Sequence, residues 1–499
     1  MKLASALRSV LFLLLCVLSV SQAAHAHVGS KDVFETVDAG PYKLYVTIRM
    51  PTVIPGVATV EVRSSGADIS GIHITPLPIT GEASKHPPTS DAMKRSTADP
   101  AFFTGSLWMM ASGSWQVRFE IAGEAGEQTV SVPVSAVALS TLKMQRGMGI
   151  TLGILGLLLI FGMAGIIAAA VREARLEPGA VPSPNRRRRA VIATAGSLVF
   201  MALLIWAGSK WWDVEAASYS LDVYHPLEMN PVLAGNVLDL NVRAFHPDSN
   251  RPEKERRGRS NNDFLQDHGH LMHLYAIRWP EMDAVFHLHP DLAGAGDFRI
   301  SLPAMPPGEY KLYGDVVHAN GFPETLVSTV AVPADMPGGS PGRDDAAASP
   351  PPLSAGQLGS SYKLPDGYVM VWDRPSTLTS NTACSFSFHL LDAGGKPASD
   401  MQPYMGMAGH AAFVKTDGTV FAHTHPEGSA AMAALMLANG NDATEHAGMS
   451  MDMPMAANEP ISNTVEFPYG FPSSGRYRIF IQMKHGTTIE TGAFDAMVE

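Results

Sequence analysis

The sequence predicts an all-β protein of three immunoglobulin-like or cupredoxin-like β-sandwiches, interrupted by two transmembrane α-helices. Three observations lead there. Short runs rich in β-branched and aromatic residues, separated by Gly and Pro breaks, fill residues 27–145, 213–333 and 358–499. Two long apolar stretches lie between the first and second of these regions. The second and third regions are partial copies of each other, aligned on their histidines.

The elements follow in chain order. Lys2 and Arg8 precede an apolar run from Val10 to Val20. Ala24-His25-Ala26 then fits a small-x-small cleavage site, so residues 1–26 read as a signal peptide. Cleavage there makes His27 the first mature residue, and cleavage after Ala23 or Ala24 also fits the rule. Residues 27–145 form the first sandwich, with strands expected at Tyr42–Met50, Ala58–Ser64, Trp115–Ile121 and Gln128–Val134.

Residues 147–171 are long enough to span a bilayer, and the shorter stretch 190–208 is close to the ~20 apolar residues required. The connecting segment 172–189 carries Arg172, Arg175 and Arg186 to Arg189, which the positive-inside rule puts in the cytoplasm. Trp211 and Trp212 follow at the position of an interfacial belt. Both soluble regions are then expected on the periplasmic side of a bacterial inner membrane.

Residues 213–333 are repeat A, with strands near Ser218–Tyr224, Leu238–Ala244, His273–Trp279 and Tyr310–Val317. A Pro/Gly-rich linker, 334–357, leads to repeat B at 358–499. Repeat B carries a Met-rich insertion, 428–460, that reads as polar and unpacked.

Net charge is −11, which excludes the basic face that nucleic acid requires. After removal of Cys16 the mature chain keeps one cysteine, Cys384, so neither an internal disulfide nor a CxxC pair can form. No GxSxG, HExxH, P-loop or GxGxxG-helix motif occurs, and no catalytic residue is assigned.

The chemistry sits in the repeats. Repeat A contains His270, His273, His287 and His289, and repeat B contains Met407, His410, His423 and His425. His318 and His485 each lie eight residues after a tyrosine in the closing strand. Residues i and i+2 of a strand share a face, so HLHP and HTHP each present two imidazoles together. Such a pair binds Cu(II) or Zn(II) when a third ligand joins it; His273 or His410 and His318 or His485 are the candidates. The same rings can instead stack or hydrogen-bond at a sheet end.

His446, Met449, Met451, Met453 and Met455 form a second kind of set. Thioethers are soft and favour Cu(I). His27, as a free N-terminus, would chelate Cu(II) through its amine and imidazole.

The repeats resemble the YtkA-like family of small extracytoplasmic β-sandwiches, and more loosely the CopC-like copper-binding proteins. The resemblance rests on Ser385–Leu391 with Asp392-Ala-Gly-Gly-Lys-Pro397, Met407-Ala-Gly-His410, His423-Thr-His425-Pro426 and Gly475-Arg-Tyr477-Arg. In repeat A it rests on His270-Leu-Met-His273, His287-Leu-His289-Pro290 and Gly308-Glu-Tyr310-Lys. It implies a membrane-tethered protein, in some members linked to copper delivery or cytochrome oxidase assembly. From the CopC-like proteins only His27 carries over, because their downstream Asp-x-His pair is absent from residues 27–140.

The expectation is therefore a copper-binding protein that buffers the metal or delivers it to a copper-transport or oxidase-assembly partner. Two other classes stand beside it. One is a structural or interaction protein whose histidines pack or sense pH. The other is a copper or zinc enzyme.

Overall fold

The strands form because their apolar residues alternate. Tyr42, Leu44, Val46 and Ile48 are buried on the strand Tyr42–Arg49, while Lys43 and Tyr45 face out. The computed structural model describes residues 31–177, 179–220, 222–244, 261–440 and 461–499. The signal peptide, His27, His446, Met449, Met451, Met453 and Met455 lie outside the described residues.

The three sandwiches are present. In the first, a sheet ordered 33–39, 42–49, 56–66, 102–109, 94–95 packs on one ordered 91–92, 69–78, 113–123, 126–136. Its core includes Leu44, Val60, Ile74, Phe103, Phe119 and Val132. In repeat A, a sheet ordered 228–234, 237–243, 297–301, 291–294 faces one built around Gly308–His318, His273–Arg278 and Val285–Leu288. In repeat B, the matching inner sheet is built around Gly475–His485, His410–Lys415 and Phe421–Thr424.

The two inner sheets pack back to back. Leu274, Ala276 and Leu312 point into the core of repeat A, and Ala411, Phe413, Ile479 and Ile481 into that of repeat B. The alternate residues Tyr275, Ile277, Val285 and Tyr313 meet Ala412, Val414, Phe421 and Phe480 in a core shared by both repeats. HLYAIR and HAAFVK are continuous apolar runs because both faces of these strands are covered. Tyr313 stacks on Phe421 at 4.3 Å between ring centroids. Such a buried aromatic contributes about 1.5–3 kcal/mol through burial alone.

The two apolar stretches are helices, Arg146–Glu173 and Pro184–Ser220, each long and apolar enough to cross a membrane. The second corrects two expectations. It takes in Arg186–Arg189 in its first turns, and it continues through Ser220, where a strand near Ser218–Tyr224 was expected. After Gly208 the segment has no Gly or Pro to stop it, and Lys210, Glu215, Ala216 and Ala217 are good or tolerant helix residues. Beyond the helix pair, the Tyr224 amide donates to the Ala138 carbonyl at 2.8 Å, so the chain returns to where it left the first sandwich.

Two segments expected to be unstructured are not. Within 334–357, Ala346–Ala348 adds an edge strand to the inner sheet of repeat A by pairing with Val285–His287. The start of the insertion forms the helix Met432–Ala438, with Met436 buried. This helix joins all three units. Asp267 of repeat A accepts the Ala433 amide at 2.8 Å at the helix N-terminus. Asn439 exchanges two 2.9 Å hydrogen bonds with the backbone of Ser131 in the first sandwich. Just before it, Gly428 pairs with Glu35, and the Glu35 carboxylate accepts the Ala430 amide at 2.6 Å.

Candidate metal centre

The histidines of the two repeats converge at one end of the shared core. The HxH pairs do share a face, as strand alternation requires. Back-to-back packing then brings both pairs into one buried cluster.

In repeat A, His273 opens the strand His273–Arg278, His287 lies on the neighbouring strand Val285–Leu288, and His289 directly follows it. Nδ1 of His273 lies 3.1 Å from Nε2 of His287. Each ring is held from its other side. His273 Nε2 lies 3.0 Å from the Asp267 carbonyl, and His287 Nδ1 lies 2.8 Å from Oε1 of Gln482 in repeat B. His289 Nδ1 lies 3.1 Å from the Asp345 carboxylate, and its buried Nε2 has no partner among the described residues. A ring nitrogen facing a carbonyl or carboxylate oxygen carries the proton. With the protons on these outer nitrogens the inner nitrogens of all three rings are free to coordinate, and those of His273 and His287 lie 3.1 Å apart.

The second group is His268, His410 and His425, and it crosses the boundary between the repeats. His268 is a site residue that sequence reasoning missed. It sits in the turn Asp267-His268-Gly269-His270, closed by reciprocal backbone hydrogen bonds of 2.8 and 3.0 Å. His268 and Gly269 have φ of 52° and 83°, the pattern of a two-residue turn with both central residues left-handed. Repeat B has the same turn in Tyr404-Met405-Gly406-Met407, with φ of 50° and 80° at its centre. The signal in the sequence was HGH aligned with MGM. Both ring nitrogens of His410 and Nε2 of His268 are buried without hydrogen-bond partners among the described residues, while His268 and His425 meet the backbone at Met405 and Ala430.

In each group the candidate ligand nitrogens lie within 4.8 Å of one another. A metal at ~2.0–2.1 Å from each imidazole would hold them about 3.3–4 Å apart, which small ring rotations supply. Burial, with the neighbouring imidazoles adding to it, pushes His273, His287, His289, His410 and His425 well below the usual histidine range. Burial lowers His268 as well. Neutral imidazole is the metal-binding form.

His423 stands between the groups, with its Nδ1 3.4 Å from Asp315 of repeat A. His270 stacks on His289 at 4.0 Å and approaches Asp344 at 3.5 Å. Asp344 and Asp345 both come from the segment expected to be a plain linker. A cavity of about 150 Å³ reaches His273, His423 and His425 and is walled by all three units.

The other predicted ligands lie elsewhere. His318 and His485 do not join the cluster. His318 bridges Asp263 at 2.9 Å and Glu324 at 3.0 Å. His485 bridges Asp400 at 3.2 Å and Asp366 at 2.9 Å, with Glu490 nearby as a further potential ligand. Both are eight residues from a tyrosine whose ring faces the core of its own sandwich, so even spacing puts them on that face and not on the shared one. Met407 occupies the turn position equivalent to His270 and is buried.

The family model described as a domain of unknown function (DUF8832) matches residues 362–499, which is repeat B. No curated protein matches the chain. Among solved structures, an engineered protein is 17% identical over 17% of this chain and 17% of its own, with a TM-score of 0.14. A tetra-tandem repeat from the extending region of a large adhesion protein is 6% identical over 90% of this chain and 72% of its own, with a TM-score of 0.17. Activated Escherichia coli alpha-2-macroglobulin is 8% identical, over 92% of this chain and 30% of its own, with a TM-score of 0.17. No shared arrangement follows from scores this low.

Proposed function

We propose that this protein is a membrane-anchored, extracytoplasmic metal-binding protein that holds copper between its tandem sandwiches, for buffering or for delivery. One observation carries the reading. The inner nitrogens of His273 and His287 face each other at 3.1 Å while their outer nitrogens are committed to Asp267 and Gln482. In the tautomer that keeps both protons on the outer nitrogens, the two inner nitrogens present lone pairs at a separation that one cation bridges.

Imidazole-only sets suit Cu(II) and Zn(II), and the Met-rich stretch 449–455 suits Cu(I); copper is the metal that satisfies both. The YtkA-like resemblance points the same way. The arginines at the turn between the two apolar helices support a cytoplasmic turn, with the sandwiches on the far side of the inner membrane. The partner would then be a copper-transport or oxidase-assembly protein that meets the sandwiches there.

The test is a competition titration of the full chain in detergent, with Cu(II) aerobically and Cu(I) anaerobically. Copper bound at two or more equivalents, with at least one lost in His273→Ala/His287→Ala, is the expected result. Copper held no more tightly by the native chain than by that double variant would overturn the reading.

A further inference from the structure

The two histidine groups share two equivalent positions, His273 with His410 and His289 with His425, yet they are built differently. Every ring of the His273–His287–His289 group is oriented by an oxygen on its outer nitrogen: the Asp267 carbonyl, the Gln482 amide and the Asp345 carboxylate. These contacts fix the tautomer and aim the lone pair before any ion arrives. Asp345 also puts a carboxylate beside the centre, which offsets part of the charge of a divalent ion.

The His268–His410–His425 group is held less fully: His268 and His425 each meet one backbone group, at Met405 and Ala430, and no side chain among the described residues orients His410. Both nitrogens of His410 are buried without hydrogen-bond partners among the described residues. An ion there must order the His410 ring itself. Its third ligand, His268, comes from the other repeat, on a turn and not on a strand. Between the groups stands His423, with ring centroids 4.8 Å from His425 and 5.3 Å from both His273 and His287. The cavity touches His425, His423 and His273, so an ion entering it meets members of both groups.

We infer that the two groups divide the work of one metal site, with His273, His287 and His289 forming the tight, resident centre and His268, His410 and His425 the exchangeable centre through which the ion enters and leaves. This rests on the metal-binding reading above. His423 is the intermediate ligand that passes the ion from one group to the other.

Zinc is the probe, because thioethers hold it poorly and it reports the histidine groups alone. The full chain in detergent is titrated with Zn(II) against a chromogenic chelator, and release is followed after excess chelator is added. Two classes of site are expected, separated in affinity. Gln482→Leu removes one orienting contact and weakens the tight class about 10–100-fold, leaving the weak class unchanged. Asp345→Ala does the same through His289 and serves as the second variant if the first fails to fold. His410→Ala abolishes the weak class and slows release from the tight one. Two classes of equal affinity, a tight class indifferent to both Gln482→Leu and Asp345→Ala, or release unaffected by His410→Ala would each overturn the inference while leaving metal binding intact. Absence of stoichiometric zinc and copper binding alike would overturn the proposed function and this inference with it.

Discussion

Replacing Arg478 by leucine should loosen the contact between the repeats and damage the metal centre together. The Arg478 side chain is fully buried, as is that of its partner Asp495. Nε and Nη2 hold the carboxylate in a fork at 2.9 and 3.1 Å. Nη1 leaves repeat B altogether and donates to the carbonyl of Met282 at 3.0 Å in repeat A and of Pro351 at 2.8 Å in the connecting segment. Leucine fills part of the volume and makes none of these bonds. Asp495 keeps Arg476 and the Leu358 amide, so its charge is not wholly abandoned. Breaking a buried pair costs about 3–5 kcal/mol, and the residual partners place this one toward the lower end of that range. Gln482 lies four residues further along the same strand, so slippage of the interface moves the group that orients His287. Denaturant unfolding of metal-free protein should show the loss, and zinc affinity should fall with it. Arg478→Leu/Asp495→Leu should recover part of the stability, because the fully buried carboxylate leaves with its partner while Arg476, a quarter exposed, turns to solvent. A loss below about 1 kcal/mol in the single variant, or a double variant no better than the single, would refute the assignment of this ion pair as the link between the repeats.

Three further outcomes are expected. The buried cluster histidines are held neutral, so the unfolded chain takes up protons that the folded chain refuses, and their contribution to stability falls as pH drops below about 6.5. His318 works in the opposite sense: burial alone would lower it, but Glu324 and Asp263 raise it above the ordinary value, so its contribution is present at low pH and lost as pH rises through the raised value. Glu490, pushed up to about 7 by burial, acts with His318. Denaturant unfolding between pH 7.5 and 5 should therefore lose slope in His410→Gln relative to the native chain, by at most ~1.4 kcal/mol per pH unit, and an unchanged slope would contradict the account. Asp267→Ala removes the acceptor at the N-terminus of the Met432–Ala438 helix and should cost about 0.5–2 kcal/mol, read as faster proteolysis within residues 427–440. Burial raises the Glu35 carboxyl well above its ordinary range, so Glu35→Gln should be nearly neutral while Glu35→Ala frees the first sandwich from repeat B, as measured by limited proteolysis.

Much of this was legible in the sequence because strand alternation is a strong rule. It placed His287 with His289 and His423 with His425 correctly. The same rule, applied further, would have excluded His318 and His485, since their even spacing from Tyr310 and Tyr477 ties them to the sandwich cores. The packing of one repeat on the other left a trace in the unbroken apolar runs HLYAIR and HAAFVK, which a half-exposed sheet would not tolerate. His268 was hidden for a different reason. Its role depends on a turn whose central residues are left-handed and on a contact with the other repeat, and neither follows from periodicity along a single strand. Asp345 and Gln482 were hidden likewise, because they act through a neighbouring ring from a distant part of the chain. The second helix ran past its expected end because apolarity marks only the part of a helix that suits lipid.

The hydrogen bond from Tyr224 to Ala138 and the pairing of Glu35 with Gly428 impose a parity on the chain. Residues on either side of the helix pair touch, so whatever number of times the chain crosses a bilayer between them must be even. A variant lacking one of the two helices would strand the first sandwich on the opposite face from the repeats and remove one wall of the cavity that reaches the histidines. If the two helices cross a bilayer, the short turn between them is the part of this region that meets the other compartment.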